Sequence, residues 1–240
     1  MKKLINKNMS ILKDIKIAHR GLCNRKYPEN SLGAYKECVD KNIPIELDVH
    51  ILKDNTLVVI HDDDTSRVTN KKVVLKDAIY DDIKDLKLEN TNYKIPKFSE
   101  VLQLVNGKVL LDIELKVEVR SFKICYEICK YLDNYKGNFI VKSFNPIYMW
   151  WFKKYRPNYI RGILVSRLKD TKMSKLLKFT LFRMMFNYLI KPDFIAFDYR
   201  DLPNKKIDRL YNSGIPVLLF TVNKDDKLDY KYTGLIYEEK

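Results

Sequence analysis

Residues 15–49 read IKIAHRGLCNRKYPENSLGAYKECVDKNIPIELDV. A short β-rich run, Ile15 to Ala18, is followed by a helical pattern from about Ser31 to Lys41 and a second β run from Ile45 to Val49. Asn30 is the expected N-cap, because its side-chain oxygen can accept from the free amides of the first helical turn. A strand, a helix and a strand in this order suit a parallel pair, whose members need a long crossover between them.

The rhythm continues along the chain. Leu57 to Ile60 is a β run joined to the second strand through Asp54-Asn55, and reads as a hairpin excursion. Further strands are expected at Val109–Leu115, Phe139–Val141, Tyr159–Val165, Phe194–Phe197, Val217–Val222 and Leu235–Tyr237. Helices are expected at Val119–Leu132, Pro146–Lys154, Met173–Ile190 and Asn204–Ser213, the last ended by Gly214. Eight strands with intervening helices predict an α/β fold, the (β/α)₈ or TIM barrel. An open doubly wound sheet would call for a glycine fingerprint after the first strand, and none is there. Residues 1–240 read as one domain, with an insertion at about 62–100 after the second strand.

Composition agrees. An apolar fraction of 46%, with 12% aromatics, excludes a disordered chain. The 45 Lys and Arg exceed the 31 Asp and Glu, giving +14, which attracts anionic partners: nucleic acid, lipid headgroups or phosphorylated small molecules. No Lys/Arg run with interleaved aromatics resembles a nucleic-acid motif, so no nucleic-acid partner is expected. Met1 to Lys16 is basic without the apolar stretch of a secretory signal, and no window is long and apolar enough to span a bilayer. Cys23, Cys38, Cys125 and Cys129 form no CxxC pair and suit a reducing cytoplasm; Cys125 and Cys129 share one helical stripe.

In such barrels functional side chains come from the C-terminal ends of several strands. The first strand runs into His19-Arg20-Gly21. Glu46 and Asp48 stand two apart on the second, so both carboxylates face one side. Asp112, Glu114 and Lys116 repeat that spacing, and the hairpin ends in His61-Asp62. Glu46, Asp48 and Glu114 are tolerable in apolar strands if they share a hard divalent cation, Mg²⁺ or Ca²⁺ rather than zinc. His19 and His61 suit general acid and base roles, for which imidazole is the usual side chain; His50 reads as rim or structural.

Ala18-His19-Arg20-Gly21, Pro28-Glu29-Asn30-Ser31, Ile45 to Val49, Val59-Ile60-His61-Asp62, Arg67 with Thr69, Ile95 to Phe98 with Glu100-Val101-Leu102, and Asp112 to Lys116 follow one another in order. This series resembles the glycerophosphodiester phosphodiesterase family, densely from Lys16 to Lys116 and more thinly through Ser143-Phe144 and Phe220 to Asn223. The resemblance implies a (β/α)₈ barrel and metal-dependent hydrolysis of glycerophosphodiesters to glycerol 3-phosphate and an alcohol. It implies His19 and His61 as the acid/base pair, Glu46, Asp48 and Glu114 as metal ligands, and Arg20 and Lys116 on the phosphate. Ser143 and Phe220 are the implied substrate-pocket residues. Phe220 replaces the family's usual Trp, and Tyr237-Glu238 stands in place of the Thr-Asp after the last strand. Both departures are expected to lie away from the catalytic cluster and to affect substrate choice more than chemistry.

Met173 to Lys191 combines many Leu, Phe and Met residues with Lys175, Lys178, Arg183 and Lys191. It reads either as a barrel helix or as a basic amphipathic helix in peripheral contact with anionic membrane. The alternative functions are a lysophospholipid-directed phosphodiesterase of the phospholipase D type and a non-catalytic phosphate- or lipid-binding barrel.

Overall fold

The computed structural model describes residues 7–117, 121–167, 175–226 and 228–239, with the backbone alone at 175–178. The helix starts expected at Val119 and Met173, and the first six residues, lie outside this set. Eight parallel strands close into a barrel: β1 (Ile15–Ala18), β2 (Ile45–Ile51), β4 (Leu111–Leu115), β5 (Phe139–Ser143), β6 (Ile160–Val165), β7 (Phe194–Asp198), β8 (Val217–Asn223) and β9 (Gly234–Glu238). β1 pairs with both β2 and β9, which closes the ring. The expected hairpin is β3 (Leu57–Val59), antiparallel to β2 and outside the ring.

Strand alternation sorts the apolar residues into two layers. Leu47, Ile113, Val141, Ile163, Ile195 and Leu219 face the helices. Ile17, Ile140, Ile160, Leu164, Phe194, Ala196, Leu218 and Ile236 form the inner cluster with Leu12, from the 3₁₀ turn Met9–Leu12. Gly162 on β6 lies beside Phe194 on β7, and a Cβ there would stand 2.2 Å from that ring, so the missing side chain makes room for the aromatic. In the segment after β3, Val68, Leu75, Ile83, Leu88 and Ile95 form a separate small core with Leu52, Val58 and Ile60.

Helix α1 (Leu32–Asp40) is capped by Ser31, whose side chain accepts from the Ala34 amide, and not by Asn30. Asn30 sits one residue too early, with φ +55°, and its side chain serves the barrel interior. Helix α2 (Phe98–Val105) was not expected as a helix; α3 (Lys123–Leu132) buries Cys125 and Cys129 together, and α4 (Pro146–Tyr155) falls where expected. The expected helix over Met173–Ile190 is two, α5 (Lys175–Phe182) and α6 (Asn187–Ile190), broken at Met184, whose φ of +50° is incompatible with a continuing right-handed helix. Finally α7 (Lys205–Asn212) is capped by Asn204 and followed by Gly214.

Candidate active site

Glu46 and Asp48 project inward from β2, and register places Asp112 beside Glu46 and Glu114 beside Asp48 on β4. One carboxylate oxygen each from Glu46, Asp48 and Glu114 lies within 4.8 Å of the others, and all three residues are buried. Burying charges so close together is costly unless cations offset them. Lys116 Nζ is 2.8 Å from both Asp48 Oδ1 and Glu114 Oε1. Arg20 Nε is 3.4 Å from Asp48 Oδ2, and the Arg20 amide donates to Glu46 Oε2 at 3.1 Å. Burial alone would raise the Asp48 pKa; Lys116 and Arg20 outweigh it and hold that carboxyl well below the usual range.

The loop after β1 is shaped for this contact. Arg20 adopts φ +57°, an uncommon conformation for a side-chain-bearing residue, and so turns its amide toward Glu46. Gly21 follows at φ +85°, where a Cβ would meet the Ala34 Cβ at 2.9 Å, so a glycine is required. Asn30 closes the loop: its Nδ2 donates to Asp48 Oδ2 at 3.0 Å, and its Oδ1 accepts from Tyr35 Oη at 2.6 Å.

Two imidazoles flank the carboxylates, each with a carboxylate on Nδ1. His19 Nδ1 is 2.8 Å from Glu238 Oε1, and its Nε2 lies 4.0 Å from Glu46 Oε2. His61 Nδ1 is 2.6 Å from Asp62 Oδ1. Arg67 binds Asp62 and, at 2.6 and 2.8 Å, Glu29, which also accepts from Arg20 at 2.9 Å. Burial works to raise the Asp62 pKa, but hydrogen bonds from His61 and Arg67 outweigh it and hold it below the usual value. His50 is buried with Nε2 3.2 Å from the His61 carbonyl, bracing that loop; burial pushes its pKa down to about 4.

The donor set fits a hard divalent cation: three converging carboxylates with no sulfur or nitrogen ligand among them. Asp48 Oδ1 is buried, with the Lys116 ammonium 2.8 Å away as its counter-charge.

Three contributors went unrecognised in the sequence. Glu238, the last residue of β9, touches His19, so this ending lies in the cluster and not away from it as expected. Lys142 on β5 is buried, 2.6 Å from Asp112 Oδ2 and 3.2 Å from Glu46 Oε1. Burial alone would neutralise its ammonium; Asp112, Glu46 and Glu114 instead push its pKa up. Asn30 is the third, its asparagine type having suggested a cap. A lysine inside an otherwise apolar strand, and a carboxylate at a strand end, were the available signals. Ser143 is fully buried, its hydroxyl donating to the Leu115 carbonyl at 2.7 Å and accepting from the Asn145 amide, so it ties the ends of β4 and β5. Phe220 meets Phe144 edge-on at 6.3 Å.

This barrel, with buried carboxylates and carboxylate-bound imidazoles at its strand ends, has the make-up of a phosphodiester hydrolase. Residues 19–238 match the model of the glycerophosphoryl diester phosphodiesterase family, and the chain belongs to that family. It is 33% identical over 166 residues, 64% of this chain and 67% of the relative, to a glycerophosphodiester phosphodiesterase of Caldanaerobacter subterraneus. A phosphodiesterase of Oleispira antarctica, solved with the product sn-glycerol-3-phosphate, superposes with a TM-score of 0.79 at 20% identity, over 95% of this chain and 94% of that one. A glycerophosphodiester phosphodiesterase of Thermotoga maritima has a TM-score of 0.72 at 22% identity, over 93% and 94%.

Proposed function

We propose that the chain hydrolyses glycerophosphodiesters to glycerol 3-phosphate and an alcohol, with one divalent cation, Mg²⁺ or Ca²⁺, held by Glu46, Asp48 and Glu114. The observation that carries this reading is the convergence of those three buried carboxylates between two imidazoles that each have a carboxylate on Nδ1. A bound divalent ion would supply Lewis-acid stabilisation of charge on the phosphoryl oxygens. With Nδ1 donating to Glu238, His19 presents Nε2 to the cluster, and Asp62 does the same for His61. One imidazole takes the proton of the nucleophile, water or the neighbouring glycerol hydroxyl, as the other protonates the departing alkoxide; where the glycerol hydroxyl attacks, water then opens the cyclic phosphodiester with the two roles reversed. Arg20 and Lys116 hold the non-bridging phosphate oxygens, fixed cations where negative charge gathers.

The product bound to the Oleispira protein supports the same substrate class here. The partners in this reading are a small glycerophosphodiester and, at the barrel's flank, an anionic membrane surface. A cytoplasmic location suits the four free cysteines, three of them buried. A lysophospholipid is the second substrate reading, favoured by the apolar Phe144–Phe220 pair near the strand ends.

The test is phosphodiester cleavage by purified protein on glycerophosphocholine, glycerophosphoethanolamine, glycerophosphoglycerol and lysophospholipids, with and without EDTA. Turnover that EDTA abolishes and Mg²⁺ or Ca²⁺ restores is expected, as is a fall of about 10²–10⁴-fold in His19→Ala and His61→Ala. Full activity in excess chelator removes the metal assignment, and no turnover on any substrate leaves a binding barrel.

A further inference from the structure

On the barrel's flank, the side chains of residues 179–190, from the second half of α5 through α6, divide sharply. Phe182, Met184 and Ile190 pack inward, Phe182 against Phe197 at 6.2 Å, so the barrel-facing side already has its partners. Phe179, Met185, Phe186, Tyr188 and Leu189 remain outside; Tyr188 is 88% exposed and Met185 61%. A dense exposed apolar group of this kind is uncommon on a surface with no partner.

The group borders an open groove of about 1000 Å³ between this segment and the start of α7. Phe179, Met185, Pro203 and Leu210 form its apolar walls; Arg183, Lys205, Lys206 and Arg209 supply the charge. From Thr171 to Pro192 there is no Asp or Glu. The acid on α7, Asp208, lies outside the groove, lining a separate recess where it accepts from Tyr230 Oη, and no carboxylate is among the groove's described lining residues.

We propose that this face docks the protein on an anionic lipid bilayer, the apolar side chains entering the headgroup boundary and the groove's cations meeting lipid phosphates. Charge selects this occupant. A second copy bound through the same face would set Arg183, Lys205, Lys206 and Arg209 against an equally basic surface, whereas anionic lipid complements both halves of the pattern. The face also adjoins the catalytic mouth: Arg167, just beyond the end of β6, lies over the Phe182 ring at 5.6 Å, and Pro203 follows the end of β7. Docking there brings the strand ends close to the surface from which lipid-derived diesters are released. The inference goes beyond the hydrolytic reading and holds whether or not that reading survives.

The test is co-sedimentation of the full chain with phosphatidylcholine vesicles, with and without phosphatidylglycerol, at low and high salt. Pelleting with phosphatidylglycerol vesicles at low salt is expected, with release at high salt. Lys205→Glu/Lys206→Glu/Arg209→Glu, and separately Tyr188→Ser/Leu189→Ser, should each lower partitioning by about tenfold or more. Both variants should keep wild-type turnover of a soluble diester and wild-type circular dichroism. Absence of pelleting with anionic vesicles at low salt overturns the proposal, as does undiminished pelleting of folded variants. A dimer in sedimentation equilibrium that the same substitutions dissociate assigns the face to a second copy instead.

Discussion

The two halves of the barrel interior are made of opposite materials. Facing inward from β2, β4 and β5 are Glu46, Asp48, Asp112, Glu114 and Lys142; from β6 to β9 come Ile160, Leu164, Phe194, Ala196, Leu218 and Ile236. The charged half holds its side chains by mutual pairing, and each member depends on the others. The apolar half is held by volume. It keeps water from the charges beside it, which strengthens their pairing in a dry interior. One half thus fixes the positions of reactive groups, and the other makes those positions count.

Substitutions can break each half in its own way. The largest structural effect is expected on the charged side. Lys142→Met removes the ammonium between Asp112 and Glu46 while nearly keeping volume, leaving buried carboxylates uncompensated. Removing one partner of such a pair costs about 3–5 kcal/mol, to be read from the urea midpoint; an unchanged midpoint would mean that the interior tolerates the bare charges. On the apolar side, Gly162→Ala drives a methyl into the Phe194 ring, and overpacking of this sort costs about 1–3 kcal/mol, seen in the same unfolding curves with less effect on turnover than on stability. If turnover instead falls further than stability, the apolar half also sets the cluster's geometry.

A smaller effect is expected where the halves meet. Glu238→Gln keeps the shape but loses the negative charge behind His19, and kcat should fall about tenfold, in the lower range for groups that orient a reactive imidazole. Glu238→Asp should fall less if the carboxylate still reaches Nδ1. A merely structural Glu238 would lower stability in both variants without that split. Smallest is the acid limb of stability. The Asp62 pKa is depressed by His61 and Arg67, so its contribution is complete above the ordinary value of about 3.9 and is lost as pH falls through the lower folded value. Asp62→Asn should flatten that limb in denaturation measured between neutral and acid pH.

Much of the charged half was legible because its information is local. Glu46 and Asp48 are two apart on one strand, Glu114 and Lys116 two apart on another, and strand alternation alone puts each pair on one face. The βα rhythm carried the fold for the same reason. What escaped depends on distance or on competition between roles. Glu238 meets His19 across 219 residues of chain, and no local pattern announces such a pairing. Asn30 and Ser31 are both good caps by residue type, and only the positive φ at Asn30 and the nearby Asp48 decide between them. The break at Met184 has no glycine or proline to mark it. Lys142 escaped because burial of a lysine is normally prohibitive, and the carboxylates that permit it lie on other strands.

The contact between His19 and Glu238 also joins the first strand of the barrel to the last. β9 is the last strand of the ring in chain order, so the first imidazole gains its carboxylate only when the ring has closed. On the proposed reading, activity is therefore acquired late in folding, when the first and last strands of the ring have met. Removal of the chain beyond β8 should silence the enzyme while leaving the three proposed metal ligands, Glu46, Asp48 and Glu114, in place. A circular permutant opened in the α3–β5 connection, with the present ends joined by a linker, would retain the seam and keep the catalytic pair intact.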